Sequence, residues 1–320
     1  MFTIQMLGTS SGVPTKTRNV SGTALTLPNG KDWVLIDCGE GTQHQLLHCN
    51  LSLLKLKAIF ITHVHGDHCY GLPGLISSAA MAGRSEPLLI VAPREIETFY
   101  NAVKTTTQPH LTFELIFIES HKMNKLKLGS TNVSATELSH RVPSHAFCFD
   151  VVRTDRKLIT DKLEQAGIPK GPVWGKLQKG EDVTLEDGAK LSHQNFVNEI
   201  EIQRKVIIAG DNDDPSLLAS AVKNADLLLH EATFTEEILK KVGSRPQHSS
   251  AKRIAMFAQE QDIPNLMLTH FSARLTGTTD SLEEDPIAQE AKSYYQGNLF
   301  LAQDLDKYEL GKDGTFKLTQ

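Results

Sequence analysis

The first third of the chain alternates short apolar runs with turn residues, a pattern typical of β-strands joined by tight loops. Apolar runs of strand length occupy residues 2–7, 23–27, 33–38 and 58–62. An amphipathic stretch at residues 43–48 interrupts the series and predicts a helix. This part of the sequence therefore predicts a β-sheet with an early helix.

The rest of the chain repeats the order of strand, polar residue and helix. Further strand patterns lie at residues 88–92, 114–118, 132–138, 146–152, 205–211, 226–232 and 265–271. Helical patterns lie at residues 93–104, after Pro215, and at residues 249–259. Because a helix packed on a sheet buries the apolar face of both, this order predicts an α/β fold with helices on the outer faces of its sheets. Polar residues collect at the strand ends, where loops usually carry the chemistry.

Residues 167–181 interrupt this pattern with closely spaced glycines and prolines. Such residues disfavour the interior of a regular core helix or strand. We therefore expect this segment to be an irregular extension that projects from the body of the protein.

Length and composition exclude some classes of protein. The 320 residues, 40% of them apolar, allow one large domain or two small ones. No apolar run approaches the roughly 20 residues of a membrane span, and the N-terminal residues have the pattern of a strand and a glycine turn rather than a secretory signal. We expect a cytoplasmic protein with no membrane partner. The cysteines form no C-x-x-C pair and predict reduced thiols rather than a zinc ribbon or disulfides: Cys38, Cys49, Cys69 and Cys148.

The distribution of charge is more informative than its sum. The formal net charge of -5 argues mildly against nucleic-acid binding over the whole chain. Residues 151–179, however, hold seven basic and three acidic side chains, a charge of +4 that leaves -9 for the remainder. A solvated loop has this composition, and so does a segment that clamps a phosphate backbone.

The strongest chemical signal is the segment of residues 62–71. His63, His65, Asp67 and His68 fall within six residues, immediately after an apolar run. So many potential ligands in a short loop at the end of a buried strand need a cation to satisfy them. The alternative, a solvated histidine-rich turn, fits the preceding buried strand less well. The segment therefore predicts a metal site.

Three later strand patterns each end on a further candidate ligand. His140, Asp211 and His270 stand where an apolar run stops, a position from which side chains of neighbouring strands can reach a shared site. Each one alone is as readily explained as a surface, capping or turn residue. Their occurrence together with the histidine-rich segment favours one common metal centre.

With these residues in view, the sequence resembles the metallo-β-lactamase superfamily. The resemblance implies that residues 1–320 form a single domain, an αββα sandwich with two metals at one edge of the paired sheets. By residue-for-residue match, His63, His65 and His140 bind one zinc, whereas Asp67, His68 and His270 bind the other. Asp211 matches the bridging carboxylate. Nitrogen and oxygen ligands suit two Zn²⁺ ions, although Mn²⁺ and Co²⁺ are also accepted by such sites.

Two short motifs narrow the resemblance to the RNase Z family of tRNA 3′-processing endoribonucleases. Residues 230–233 read HEAT, and residues 248–250 read HSS where the family has HST. The match implies that His248 assists the leaving group and that Glu231 orients His248. Two adjacent cations activate water for attack at phosphorus, and Asp67 is expected to orient or deprotonate that water. We therefore expect Asp67, His248 and Glu231 to be the catalytic residues.

Other segments resemble the RNA-binding parts of that family. Residues 14–19 match its P-x-K-x-R-N loop, and residues 151–183 resemble the flexible Gly-Pro-rich exosite arm of the long-armed bacterial type. Trp174 in this arm is either a packing anchor or a stacking surface. The expected RNA-binding residues are Lys16, Arg18, Asn19, Arg274, Lys170, Lys176 and Lys179.

The resemblance implies a zinc-dependent endoribonuclease that removes the 3′ trailer of precursor tRNA after the discriminator nucleotide. It would leave a 3′-hydroxyl on the tRNA and a 5′-phosphate on the trailer, act as a homodimer and need no organic cofactor. One alternative is a hydrolase of a small phosphodiester or thioester, which shares every metal ligand but requires neither the arm nor His248. The other is a non-catalytic tRNA-binding scaffold, which has no need to keep all the ligands.

Overall fold

The computed structural model of the chain describes residues 1–28, 30–123, 125–274 and 285–320. Two units make up the chain, one of residues Met1–Asp150 and Arg204–Gln320, and a smaller one of Val151–Gln203. The larger unit contains every predicted metal ligand. None of the helices in the described ranges combines the length and apolar character that a membrane crossing requires.

The strands are numbered in chain order. They are β1 (Phe2–Gly8), β2 (Ser10–Ser11), β3 (Gly22–Thr26), β4 (Trp33–Ile36), β5 (Leu56–Phe60), β6 (Leu88–Ala92), β7 (Leu115–Glu119), β8 (Leu126–Leu128), β9 (Thr131–Leu138), β10 (Ser144–Leu158), β11 (Val183–Thr184), β12 (Lys190–Leu191), β13 (Val197–Ala209), β14 (Leu227–Glu231), β15 (Asn265–Thr269), β16 (Phe271–Ser272), β17 (Asn298–Leu301), β18 (Lys307–Leu310) and β19 (Phe316–Leu318).

The helices are numbered in the same way. They are α1 (Thr42–Gln45), α2 (Gly66–Cys69), α3 (Leu72–Met81), α4 (Arg94–Thr107), α5 (Thr160–Gln165), α6 (Pro172–Gln178), α7 (His193–Phe196), α8 (Glu236–Val242), α9 (Ala251–Glu260) and α10 (Pro286–Lys292). Single 3₁₀ turns occupy Leu46–His48, Leu53–Lys55, Ser120–Lys122 and Pro215–Leu218.

Two mixed sheets form the framework. The first has the order β19-β18-β1-β3-β4-β5-β6-β7, and the second has the order β17-β15-β14-β13-β10-β9-β8. From β4 to β7 the first sheet is parallel, and β13, β14, β15 and β17 are parallel in the second. Parallel neighbours end at the same edge of a sheet, so the loops that follow them are brought together.

Apolar side chains between the two sheets hold them face to face. The ring of Phe60 on β5 lies 4.9 Å from that of Phe147 and 5.3 Å from that of Phe149, both on β10. The helices α3 and α4 bury apolar residues against the first sheet, and α9 and α10 do so against the second. This arrangement confirms the predicted αββα order of layers.

Local sequence explains where the main outer helices begin. The side chain of Ser250 accepts a hydrogen bond from the backbone N–H of Arg253 and caps α9. Asp285 caps α10 in the same way, with Pro286 in its first turn. Pro93 precedes α4, whose Ile96 and Tyr100 are buried at helical spacing.

The smaller unit has an apolar core of its own. The indole of Trp174 is buried, and its Nε1–H donates a hydrogen bond to the carbonyl oxygen of Ile168 at 3.1 Å. The ring belongs to a buried apolar cluster. Its other members are Leu163 of α5, Ile168 in the loop that follows, Leu177 of α6, Val183 of β11 and Val197 of β13. Trp174 is therefore a packing anchor, the first of the two roles left open by the sequence.

Two sequence predictions are wrong in this description. The glycine- and proline-rich segment 167–181 contains the helix α6, which starts at Pro172 because proline is tolerated in a first helical turn. The helix predicted after Pro215 is only a 3₁₀ turn. The predicted arm, residues 151–183, lies within the smaller unit, which continues to Gln203.

Arg84 is an unusual charged residue in the core of the larger unit. Its side chain is buried, and its guanidinium stacks 5.3 Å from the ring centre of Phe113. It donates hydrogen bonds of 2.7–2.9 Å to the carbonyl oxygens of Leu53, Leu56, Glu86 and Pro87. The guanidinium thus satisfies the backbone of two loops at once.

We expect Arg84→Lys to destabilise the protein by about 2 kcal/mol, since lysine cannot supply the planar fork and leaves buried carbonyl groups unpaired. The shift of the denaturant midpoint measures this loss. Arg94→Lys, at an exposed position on α4, is the control and should change stability by less than about 0.5 kcal/mol. Equal effects of the two substitutions would contradict this role for Arg84.

Candidate metal centre

All seven predicted metal ligands of the larger unit lie together at one edge of the paired sheets. His63 and His65 follow β5, Asp67 and His68 lie in α2, and His140 follows β9. Asp211 and His270 follow β13 and β15 in the same way. The donor atoms fall into sets whose members lie within 4.8 Å of one another.

The first set consists of three imidazoles. The Nδ1 atom of His65 lies 3.0 Å from Nε2 of His63 and 3.1 Å from Nε2 of His140. Two nitrogens bound to one tetrahedral zinc ion at 2.0–2.1 Å are about 3.3 Å apart. These spacings therefore fit three ligands that converge on one cation.

The second set combines two imidazoles and a carboxylate. Nε2 of His68 lies 3.3 Å from Nε2 of His270. The Oδ2 atom of Asp67 lies 3.5 Å from the former nitrogen and 3.4 Å from the latter. The same spacing argument applies, and it gives a second group of converging donors.

Asp211 joins the two sets through its two oxygens. Its Oδ2 atom lies 3.5 Å from Nε2 of His63 and 3.7 Å from Nε2 of His140. Its Oδ1 atom lies 3.5 Å from Nε2 of His68 and 3.4 Å from Nε2 of His270. A carboxylate with one oxygen toward each set has the geometry of a bridging ligand.

Hydrogen bonds leave the metal-facing nitrogens unprotonated. His68 donates from Nδ1 to the Asp37 carboxylate at 2.7 Å, and His140 donates from Nδ1 to the Gln247 carbonyl at 2.8 Å. Because each neutral imidazole holds one proton, these partners leave Nε2 as the lone-pair nitrogen.

Two hydroxyl groups do the same for the other Nε2 ligands. Thr62 Oγ1 donates to Asp37, so it accepts from Nδ1 of His63 at 3.0 Å. Thr233 Oγ1 donates to Glu231 and accepts from Nδ1 of His270 at 3.0 Å. Burial also lowers the pKa of His63, His65 and His140, which favours the neutral, metal-binding form. At His68 burial is outweighed by the carboxylates of Asp67, Asp37 and Asp211, which raise its pKa, so a metal ion that binds there displaces a proton. The residues present therefore fit divalent metal ions.

Asp37 is a site residue that the sequence analysis missed. Its carboxylate is buried and accepts hydrogen bonds from His68, from Thr62 Oγ1 and from the Thr62 backbone N–H. Both Asp37 and His270 have left-handed backbones, with φ of 59° and 61°. Such conformations are uncommon for residues other than glycine and tend to occur at functional sites. Asp37 ends an apolar run, which is the criterion that identified Asp211.

His248 lies beside both ligand sets, and the Nδ1 atom that is near them is already engaged in a hydrogen bond. Its Nδ1 atom is 3.7 Å from Asp211 but donates to Glu231 at 3.0 Å. The ring centre lies 5.2 Å from that of His140 and 5.4 Å from that of His270. Burial opposes protonation of His248, but the Glu231 carboxylate outweighs it and raises the pKa to about 9. His248, Asp211 and His270 also form a group whose donor atoms lie within 4.8 Å of one another, and the Nδ1 atom of His248 is directed at Glu231 within it.

Glu231 is the acceptor that fixes His248. Its buried carboxylate also accepts the backbone N–H groups of Asn212, Ser249 and Thr233 at 3.1–3.2 Å. Burial raises the pKa of Glu231, but the charge of His248 together with its hydrogen bond lowers it further, so the group stays ionised. One carboxylate thus positions the loop after β13, the loop before α9 and the His248 ring.

The P-x-K-x-R-N loop lies against the metal centre. The backbone N–H of Gly12 donates to Oδ2 of Asp67 at 2.7 Å. Lys16 is exposed, as expected for an RNA contact. The Arg18 guanidinium instead donates to Ala302 O at 2.8 Å and stacks 4.8 Å from the ring centre of Phe271. In this state its donors are directed into the protein.

Asn19 is half-buried, and its backbone N–H donates to Asp304. The other four predicted RNA-binding residues are on the surface of their own unit. Arg274 is exposed just after β16 in the larger unit. Lys170, Lys176 and Lys179 are exposed on and around α6 in the smaller unit. The whole smaller unit contains eight basic and nine acidic residues, a net charge of -1, so its basic excess is confined to residues 151–179.

Comparison with known proteins gives the family. A model described as "Anti-Pycsar protein Apyc1" matches residues 2–161. A ribonuclease Z of Marinobacter nauticus is 48% identical over 312 residues, which cover 96% of each chain. The chain belongs to the ribonuclease Z family.

Solved structures agree with the fold. The short form of human tRNase Z aligns with a TM-score of 0.66 at 24% identity over 97% of this chain and 99% of that one. The metallo-β-lactamase fold protein YhfI of Bacillus subtilis aligns with a TM-score of 0.65 at 19% identity over 96% and 98%. This member of the ribonuclease Z family therefore has the predicted metallo-β-lactamase fold.

We expect Asp37→Asn to weaken zinc binding about 10- to 100-fold, because the amide cannot accept every hydrogen bond that orients His68 and Thr62. Competition with a chromophoric chelator measures the affinity. Asp32→Asn, at an exposed aspartate paired only at 3.5 Å with Lys57, is the matched control and should bind zinc as wild type does. Unchanged affinity in Asp37→Asn would remove this residue from the site.

Proposed function

We propose that this chain removes the 3′ trailer of precursor tRNA by one cut on the 3′ side of the discriminator nucleotide. The products are a tRNA with a 3′-hydroxyl and a trailer with a 5′-phosphate. As a member of the ribonuclease Z family, the chain is a metal-dependent endoribonuclease and therefore a phosphodiesterase. The position of Asp211 supports this cut most directly. Its two oxygens face two separate ligand sets beside His248.

The proposed ligands divide between two Zn²⁺ ions. His63, His65 and His140 would hold one ion, Asp67, His68 and His270 would hold the other, and Asp211 would serve both. Bound there, divalent cations polarise the phosphate oxygens and lower the pKa of a water molecule. Mn²⁺ and Co²⁺ accept the same nitrogen and oxygen donors.

Asp67 is proposed to orient the attacking water rather than to take its proton. Burial raises its pKa, but His68 and His270 lower it well below the ordinary range of a carboxylic acid. A base works best when its pKa lies near the working pH, so a strongly acidic carboxyl is a poor proton acceptor. The N–H of Gly12 also fixes Oδ2 of Asp67, which holds the carboxylate in one orientation.

His248 is proposed to donate a proton to the leaving 3′-oxygen. Its Nδ1–H is committed to Glu231, so the proton for transfer is the one on Nε2 of the imidazolium. A pKa of about 9 keeps that proton in place at neutral pH. Glu231 therefore acts on the reaction through the position and charge of His248, whereas His248 meets the reacting atoms.

The RNA contacts are proposed from surface charge. Lys16, Arg18, Asn19 and Arg274 are the proposed contacts near the cleavage site, with Arg18 first having to leave its present partners. The arm at residues 151–183 is proposed as the exosite. Its Lys170, Lys176 and Lys179 would contact the phosphate backbone of tRNA, so that the arm recognises tRNA by shape and charge.

We further propose a homodimer, in which the arm of one subunit serves the site of the other. The proposed location is the cytoplasm, where precursor tRNA is processed.

We expect His248→Ala to lower kcat for a 3′-extended precursor tRNA by about 10²- to 10³-fold with little change in KM, because it removes a proton donor that acts in the transition state. Product sequencing and end-group analysis locate the cut. His110→Ala, at an exposed histidine in the loop between α4 and β7, is the control. A wild-type enzyme that hydrolyses a small phosphodiester but leaves tRNA intact would support the small-molecule hydrolase instead, and binding without any cleavage would support the scaffold.

We expect the triple variant of Lys170, Lys176 and Lys179 to alanine to raise KM for precursor tRNA about tenfold and to leave kcat nearly unchanged, since the arm contacts the RNA away from the reacting phosphate. The slope of log KM against log salt should also become shallower by the number of lost phosphate contacts. Lys104, Lys127 and Lys240, exposed lysines of the larger unit, form the matched triple control. Equal losses in both triples would assign the effect to net charge and not to the arm.

A further inference from the structure

The loop of residues 12–19 is anchored by a carboxylate from the far end of the chain. Oδ2 of Asp304 accepts the backbone N–H of Asn19 at 2.6 Å, and Oδ1 accepts Thr9 Oγ1 at 2.6 Å. Nε2 of Gln45 also donates to Oδ2 at 3.0 Å. Three separate segments near the N-terminus are therefore tied to one side chain located 259 to 295 residues later.

A relay of hydrogen bonds extends this anchor to Arg18. Nη1 of Arg18 donates to Thr9 Oγ1 at 2.6 Å, and the same hydroxyl donates to Asp304. The hydroxyl thus uses both its donor and an acceptor position, which fixes its orientation. Arg18 and Asn19, two of the motif residues expected to bind RNA, are in this way part of the root of the loop.

Two further bonds connect the root to the metal ligands. The backbone N–H of Gly12, at the start of the loop, donates to Asp67. The carbonyl of Thr9 accepts the N–H of Phe271 at 2.8 Å, next to His270 and its left-handed backbone. Asp304 is therefore linked to His270 through Thr9 and Phe271, and the loop that it anchors contacts Asp67 through Gly12.

The partners of Asp304 suggest more than a stabilising role. Its direct hydrogen-bond donors are the Thr9 hydroxyl, the Asn19 backbone N–H and the Gln45 amide. Leaving a buried donor unpaired costs more free energy than its hydrogen bond adds to net stability. Two of these donors, Thr9 and Asn19, lie on either side of the exposed loop that carries Lys16. A loop that must meet a substrate at a fixed distance from the reacting phosphate benefits from such an anchor, because small displacements reduce rate strongly.

We propose that Asp304 is a positioning residue that holds the 12–19 loop over the metal centre through Thr9 and Asn19, and so sets how the loop meets RNA. The role in RNA cleavage rests on the proposed function, whereas the anchoring of the loop does not. Asp304 itself does not touch the reacting atoms and acts through the loop.

The test combines kinetics with hydrogen exchange. Asp304→Asn should lower kcat/KM for precursor tRNA about tenfold, because the amide has one acceptor oxygen and its NH₂ group opposes a second donor. Lys16→Ala alone should cost about as much. If Asp304 acts through the loop, the double variant should lose little more than either single one, since an already displaced loop gains nothing from Lys16. Multiplied losses would overturn the proposal.

Hydrogen exchange gives a measurement that does not depend on activity. The amide of Asn19, and peptides spanning residues 9–19, should exchange faster in Asp304→Asn than in wild type. Thr9→Val, which removes the relaying hydroxyl and keeps the shape, should change exchange in the same direction. Asp306→Asn is the control, because it alters charge two residues away while its oxygen still accepts from Tyr308.

The outcomes separate the two ideas. If the wild type leaves precursor tRNA uncut, the proposed function fails, and faster exchange in Asp304→Asn and Thr9→Val still supports the anchor. If the wild type cuts tRNA but the Asn19 amide stays protected in Asp304→Asn, the anchor is wrong and the proposed function stands.

Discussion

The carboxylate of Asp211 is the constraint on which the rest of the site depends. It is buried, and its two oxygens lie 3.4–3.7 Å from four imidazole nitrogens that belong to two different ligand sets. A buried anion is stable only when positive charge, from protonated histidines or from bound cations, balances it. Hydrogen bonds to Nδ1 of the surrounding histidines leave Nε2 free to bind such cations. The site is thus prepared for metal by proton placement as well as by geometry.

The fold and the ligand set followed from the sequence for a physical reason. His63, His65, Asp67 and His68 are local, and the other candidate ligands each end an apolar run. The parallel strands β13, β14 and β15 bring Asp211 and His270 to one edge of their sheet. What the sequence did not reveal depends on long-range contacts. Asp37 satisfies the same strand-end criterion but binds histidine instead of metal, a distinction set by which oxygen faces which ring. The proposed role of Asp304 likewise depends on contacts between the turn that follows β17 and the N-terminal segment, which the sequence does not reveal.

Short helices and loop ends were the other source of error. The glycines and prolines of residues 167–181 predicted irregular structure. Trp174 and Leu177 nevertheless pack in a local apolar core, and this packing stabilises the helix α6. Packing of this kind overrides intrinsic propensity. The helix expected after Pro215 failed for the converse reason, because four residues that end in Leu218 bury enough surface as a 3₁₀ turn.

The charge of the smaller unit shows why distribution matters more than the sum. The unit is net -1, but residues 151–179 carry +4 and residues 180–203 carry six acidic and one basic side chain. Some of the basic groups are paired within the unit, as Arg156 is with Glu199 and Lys170 with Glu164. Lys176 and Lys179 are exposed near the end of α6. A polyanion that approaches this helix is attracted, whereas one that approaches the acidic segment is repelled, so the proposed contact with an RNA backbone would favour one orientation.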